Sequence, residues 1–136
     1  MIHDANQKNY SVSIKSNFGE EEYTVYGIEQ GNHYAIIASA NVIDSDGNQA
    51  SICKLRNPWK SDFEWEGAWS DKSTKWTEEL KKELNVQEAV DGVFWMCWPD
   101  LMKYFNSFII CKARDDCIFS SVQSSLTRQV YKIKCG

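Results

Sequence analysis

The side chains with the most chemical potential in this sequence are five cysteines, at 53, 97, 111, 117 and 135, the histidine of Gly31-Asn32-His33-Tyr34 and the asparagine of Arg56-Asn57-Pro58-Trp59. A thiol acts as a nucleophile or metal ligand only when deprotonated, with a base or positive charge beside it. The cysteines are odd in number and include no Cys-x-x-Cys pair, so neither a disulfide framework nor a zinc site is expected, and packing is their ordinary role. Taken alone, His33 reads as a strand histidine that bonds locally, and Asn57, ahead of a proline, as a turn former. Asp44-Ser45-Asp46-Gly47-Asn48 has the composition of a calcium loop, but an EF-hand needs its glycine at the sixth position and a glutamate at the twelfth. With glycine fourth, an Asp-Gly hairpin turn is the better reading.

The elements that must position these residues are mostly strands. Alternating or apolar runs predict strands at 10–15, 34–38, 50–55, 93–97 and 108–111, with another at 130–134. The Asp44–Asn48 turn joins the second and third. Thr77 can cap a short amphipathic helix over 77–84, with Leu80 and Leu84 one turn apart, and Pro99 suits the first turn of a helix running to Tyr104. Residues 1–7 are polar and expected to fray, and 16–22 read as a solvated loop. Tryptophans 65, 69, 76, 95 and 98 are expected in the core.

Composition limits the function classes. A chain of 136 residues suits one domain, and 43% hydrophobic residues with six each of Trp, Tyr and Phe imply an aromatic-rich core. A net charge of −4 and a pI near 5.2 provide no basic face, so no nucleic-acid partner is expected. No apolar run approaches the roughly 18 residues of a membrane span, and the first residues resemble no secretory signal. The expectation is a soluble protein in a reducing cytoplasm.

Longer motifs point further. Lys54-Leu55-Arg56-Asn57-Pro58-Trp59, continued by Glu64-Trp65-Glu66-Gly67-Ala68-Trp69-Ser70-Asp71, resembles the asparagine segment of the calpain family, calcium-dependent cysteine endopeptidases of papain-like fold. Gly27 to Ile37 and Asp91 to Cys111 are similar to that family in the same order. The resemblance implies an α+β fold, the antiparallel-strand-dominated second half of a papain-like catalytic region with a few short helices. It also implies that Asn57 orients the catalytic imidazole while Trp59 shields their bond. The family's Gly-His-Ala-Tyr corresponds to Gly31-Asn32-His33-Tyr34, which puts Asn32 at the histidine position. His33 is then an offset candidate base that only a local bulge would re-aim, since one step along a strand turns a side chain to the other face. The family nucleophile stands in a Gly-x-Cys-Trp context on a preceding half; no cysteine here has that context, so no nucleophile is assigned.

The same resemblance implies a Ca2+ site formed by the carboxylates of Glu64, Asp71 and Asp91 with the carbonyls of Ala89 and Val93. The expected organisation is a frayed 1–7, the calpain-type second half over 8–114, and a linker with the possible first strand of a following β-sandwich over 115–136. The implied function is proteolysis of protein substrates by a calcium-dependent cysteine-type endopeptidase, with a nucleophile-bearing first half as partner and this chain inactive alone. The alternative is a catalytically degenerate calpain-like module that binds calcium or a protein without cutting.

Overall fold

A computed structural model describes residues 11–18, 24–59, 63–111 and 124–125. Strands β1 (Ser11–Ser16), β4 (His33–Ile43), β5 (Gln49–Arg56), β6 (Val93–Cys97), β7 (Phe105–Cys111) and β8 (Ser124–Ser125) form one antiparallel sheet. Its order is β6-β5-β4-β1-β7-β8, while β2 (Thr24–Val25) and β3 (Ile28–Glu29) form a separate small hairpin. Two short helices, α1 (Glu78–Glu83) and α2 (Trp98–Tyr104), complete the described elements. This is the strand-dominated α+β class expected. Residues 1–7 and the strand expected at 130–134 lie outside the described residues, as does most of 115–136, from which Ser124 and Ser125 pair with Phe108 and Ser107.

Period-two alternation explains the sheet. In β1, Val12, Ile14 and Ser16 are buried while the residues between them are partly open. Tyr34 and Ile36 of β4 join Leu55, Phe94 and Met96 in one core, roofed by Trp65 and by Leu101 of α2. The register then shifts between Ile36 and Ala38 against β5, leaving Ile37 exposed. Beyond this bulge Ala38, Ala40 and Val42 pack on the opposite face, with Ile52, Trp95, Trp69 and Trp76. One strand thus serves two cores, which is why its sequence reads as a nearly continuous apolar run. Four of the five tryptophans expected inside are buried; Trp98 is 37% exposed and lies tilted against Phe108.

Local chemistry fixes the connections. Asp44 Oδ1 accepts the N–H groups of Asp46 and Asn48, and Lys75 Nζ sits 3.0 Å from Asp44 Oδ2. The Asn48 N–H, then Lys75, hold the Asp44 carboxyl down to about 2, so Asp44–Asn48 is a hydrogen-bonded turn. Thr77 caps α1 by accepting from the Leu80 N–H at 3.2 Å. Between β2 and β3, Tyr26 and Gly27 both take positive φ, 49° and 81°, as a type I′ turn requires. Gly27 is also where the Glu64-Trp65 backbone crosses this hairpin: a Cβ there would stand 1.7 Å from the Glu64 carbonyl oxygen. Gly27→Ala is therefore expected to destabilise by about 2 kcal/mol or more, since it adds a backbone clash to a left-handed conformation. Gly47→Ala, at φ 84° but in open space, should cost only about 1 kcal/mol. Denaturant midpoints of the two variants measure the difference; equal losses would rule out the close approach.

Candidate active site

Asn57 leaves the end of β5 with only 3% of its surface exposed. Its N–H donates to the Gly92 carbonyl at 2.7 Å, at the entrance to β6, and its Oδ1 accepts the Trp59 N–H at 3.0 Å across Pro58. Its Nδ2 donates to Glu29 Oε2 at 2.9 Å, a buried bond. Asn32, just before β4, donates its own Nδ2 to the same oxygen at 3.3 Å. Asn32 and Asn57, expected at the base and orienter positions, therefore meet at one carboxylate oxygen.

The backbone holds this arrangement from several sides. The Glu29 N–H donates to Tyr34 Oη at 3.0 Å, and the Ser16 hydroxyl donates to the Glu29 carbonyl at 2.6 Å. Ser16 Oγ in turn accepts the Asn32 N–H at 3.0 Å, while the Ser16 N–H donates to the Asn32 carbonyl at 2.9 Å. Burial pushes the Tyr34 hydroxyl up to about 12; the Glu29 N–H opposes this and the Glu29 charge adds to it. Tyr34 thus stays neutral through the physiological range.

His33 pairs with Lys15 across the β1–β4 ladder and alternates with buried Tyr34, so it stands on the face of β4 away from Tyr34, Asn32 and Asn57. The bulge in β4 comes later, at Ile36–Ala38. Trp59 engages Asn57 through its backbone, and the residue as a whole is 69% exposed. Burial pushes the Cys53 thiol up to about 11, and burial with the Asp100 carboxylate does the same to Cys97. Both remain protonated at neutral pH and lack the thiolate character of a nucleophile. Cys117 lies outside the described residues, as does Cys135.

Glu64, Asp71 and Asp91, the three carboxylates expected to form a calcium site, lie close enough to interact. Glu64 Oε1 accepts the N–H groups of Asp91, at 2.7 Å, and Gly92, at 2.6 Å, and Asp91 Oδ1 accepts the Val93 N–H at 2.9 Å. Asp71 Oδ2 is sealed from solvent without a hydrogen-bond partner. Burial, then the charge of Glu64 and more weakly that of Asp91, push the Asp71 carboxyl up to about 6, against the pull of the Ala89 N–H. Among the described residues no three His, Cys, Asp or Glu side chains are gathered around one metal position. The Ala89 carbonyl accepts the Asp91 N–H at 3.1 Å, and Val93 begins β6 opposite Arg56. The unpaired Asp71 oxygen is the atom here that a cation would satisfy.

The pattern of calpain family cysteine proteases matches residues 2–112. This chain belongs to the calpain family. It is 41% identical over 87 residues to the calpain-type cysteine protease DEK1 of Zea mays, a match covering 63% of this chain and 4% of that protein. To calpain clp-4 of Caenorhabditis elegans it is 40% identical over 88 residues, 62% of this chain and 12% of that one. To the calpain-1 catalytic subunit of Gallus gallus it is 33% identical over 125 residues, 90% of this chain and 17% of that subunit. The chain thus spans a small part of each of these calpains.

Within this calpain domain, sequence reasoning missed Glu29. Gly27-Ile28-Glu29-Gln30-Gly31 reads as a polar turn around one isoleucine, and nothing in it marks the acid as 9% exposed. Gly92 and Ser16, which hold Asn57 and Asn32 through backbone groups, carry no such mark either. The Asp71 environment predicts a pH dependence. Its folded pKa, about 6, exceeds the ordinary 3.8, so the folded state holds the extra proton between those values and stability falls as pH rises from about 4 through about 6. Asp71→Asn is expected to flatten that decline and, without calcium, to stabilise at pH 7 by on the order of 1 kcal/mol after solvent screening of this partly buried group. Melting temperatures of both proteins from pH 4 to 8 are the check, and parallel curves would refute the assignment.

Proposed function

We propose that residues 8–114 are the second half of a calpain-type catalytic region, a component of a calcium-dependent cysteine-type endopeptidase that cleaves protein substrates when joined to a nucleophile-bearing first half. The convergence of Asn57 and Asn32 at one end of the sheet, with the Trp59 N–H bonded to Asn57, carries this reading. In such chemistry a thiolate attacks the scissile carbonyl, an imidazole returns the proton to the leaving amine, and an amide holds the imidazole. This chain would supply the amide at Asn57 and the shielding indole at Trp59. At the base position it has Asn32, whose amide neither takes nor gives a proton at neutral pH. His33 is on the other face, so this chain alone should be inactive. The odd set of cysteines without a Cys-x-x-Cys pair supports a cytoplasmic setting, and the resemblance to the family supports 115–136 leading toward a following β-sandwich. No helix among the described residues is long and apolar enough to cross a membrane.

A second reading is favoured by that same amide: a calpain-like module that binds calcium or a protein partner without cutting. One experiment separates the two. Pure chain incubated with a casein-type substrate, with and without calcium, should release nothing; cleavage blocked by a thiol reagent would overturn the inactivity. Combined with a nucleophile-bearing half from a relative, Asn32→His should raise cleavage by a larger factor than His33→Ala lowers it, because only the first returns an imidazole to the face carrying Asn57. If Asn32→His leaves such a mixture inert, the non-cleaving reading is preferred.

Calcium would be held by Glu64, Asp71 and Asp91 with the Ala89 and Val93 carbonyls, hard oxygen donors on irregular loops. It would supply charge neutralisation between three mutually repelling carboxylates. The Gly92 turn joins this cluster to the site: Glu64 holds its N–H, and its carbonyl holds the Asn57 N–H. Calorimetric titration at up to roughly millimolar calcium should give saturable heat. At a hundredfold excess over the dissociation constant, linkage would stabilise the fold by about 2.7 kcal/mol. Asp71→Ala and Asp91→Ala should lose both effects; a wild type with neither heat nor a rise in melting temperature would remove calcium from the proposal.

A further inference from the structure

We infer that Glu29 is a positioning residue of this site: its Oε2 is the acceptor that fixes the nitrogen donor at position 32, in the role otherwise given to the Asn57 amide oxygen. Both side-chain amides converge on that oxygen, Asn57 at 2.9 Å and Asn32 at 3.3 Å. The orientation of the Asn57 amide follows from its partners: the Trp59 N–H requires the oxygen and the carboxylate requires the nitrogen. Asn57 therefore turns its donor toward the position-32 side, with the carboxylate between the two asparagines.

Glu29 is itself held from both ends of its backbone, by Tyr34 Oη and Ser16 Oγ, so the carboxylate is placed with little freedom. No lysine, arginine or histidine among the described residues forms an ion pair with it, and amide N–H groups take over its hydration. Among the described residues, the neighbouring titratable groups do not compete for it. Tyr34 stays neutral, and Arg56 and His33 alternate with buried residues and lie on the other face of the sheet. Glu64 and Asp91 are bonded within their own turn. A carboxylate is a stronger acceptor than an amide oxygen, so an imidazole at position 32 would be held more firmly here and would keep its proton to higher pH.

Proton NMR titration tests this without reference to peptidase activity, and so independently of the proposed function. The imidazole introduced by Asn32→His should bind its proton about tenfold or more tightly than a free histidine. Adding Glu29→Gln should remove that gain, whereas adding Asn57→Ala should leave the affinity within about twofold. The wild type gives a second reading that needs no imidazole: the side-chain amide resonances of Asn32 and Asn57 should shift with pH at one common midpoint, and both shifts should vanish in Glu29→Gln. An imidazole indifferent to Glu29→Gln, or amide resonances that do not titrate together, would overturn the assignment. So would Glu29→Gln lowering the melting temperature while moving neither titration, because Glu29 would then be structural only.

Discussion

A carboxylate withdrawn from water persists only where N–H donors replace its hydration, and Glu29 draws those donors from Asn57 and Asn32. This requirement ties together segments that are far apart in the chain. The acid ends β3, one amide precedes β4, the other follows β5, and Ser16 at the end of β1 bonds to the backbone of two of the three. Leaving the carboxylate unmatched would cost more than any one of these bonds contributes. The end of the sheet is accordingly one connected polar network on an apolar base formed by Tyr34, Leu55 and Phe94.

That base exists because the sheet is covered on both faces. The bulge at Ile36–Ala38 lets β4 serve one core with Tyr34 and Ile36 and the other with Ala40 and Val42. Tryptophans close the second core, with Trp69 and Trp76 edge to face at 4.8 Å and the Trp76 indole N–H bonded to the Ser70 carbonyl at 2.8 Å. Trp65 closes the first and bonds to the Ala68 carbonyl at 2.8 Å. The segment joining these tryptophans also carries Glu64 and Asp71, so packing of the aromatic rings sets where the acids lie.

The acids and the amides share the Gly92 turn. Its N–H answers to Glu64 and its carbonyl to Asn57, making the turn a short mechanical path between a cluster of repelling carboxylates and the site. Asp71 is the strained member of that cluster: one oxygen is sealed without a partner, and the neighbouring charges of Glu64, Asp91 and Glu88 oppose its ionisation. A calpain domain with such an arrangement has electrostatic tension near its amide site whether or not that site still performs catalysis.

Much of the fold was legible in residue patterns. Strand alternation, the Asp-Gly turn, the Thr77 cap and Pro99 each act through neighbours in the chain, so β1, the β4–β5 hairpin, α1, α2 and β6 could be anticipated before any contact was known. Motif order likewise pointed to Asn57 and to the amide at position 32. The hairpin around Gly27 was not legible, because its glycine answers to the Glu64 carbonyl, 37 positions away in the numbering of the sequence. Glu29 was missed for the same reason. Its burial and its two amide donors arise only when the ends of β3, β4 and β5 meet, and a side chain's hydrogen-bond partner is a property of that meeting rather than of residue type.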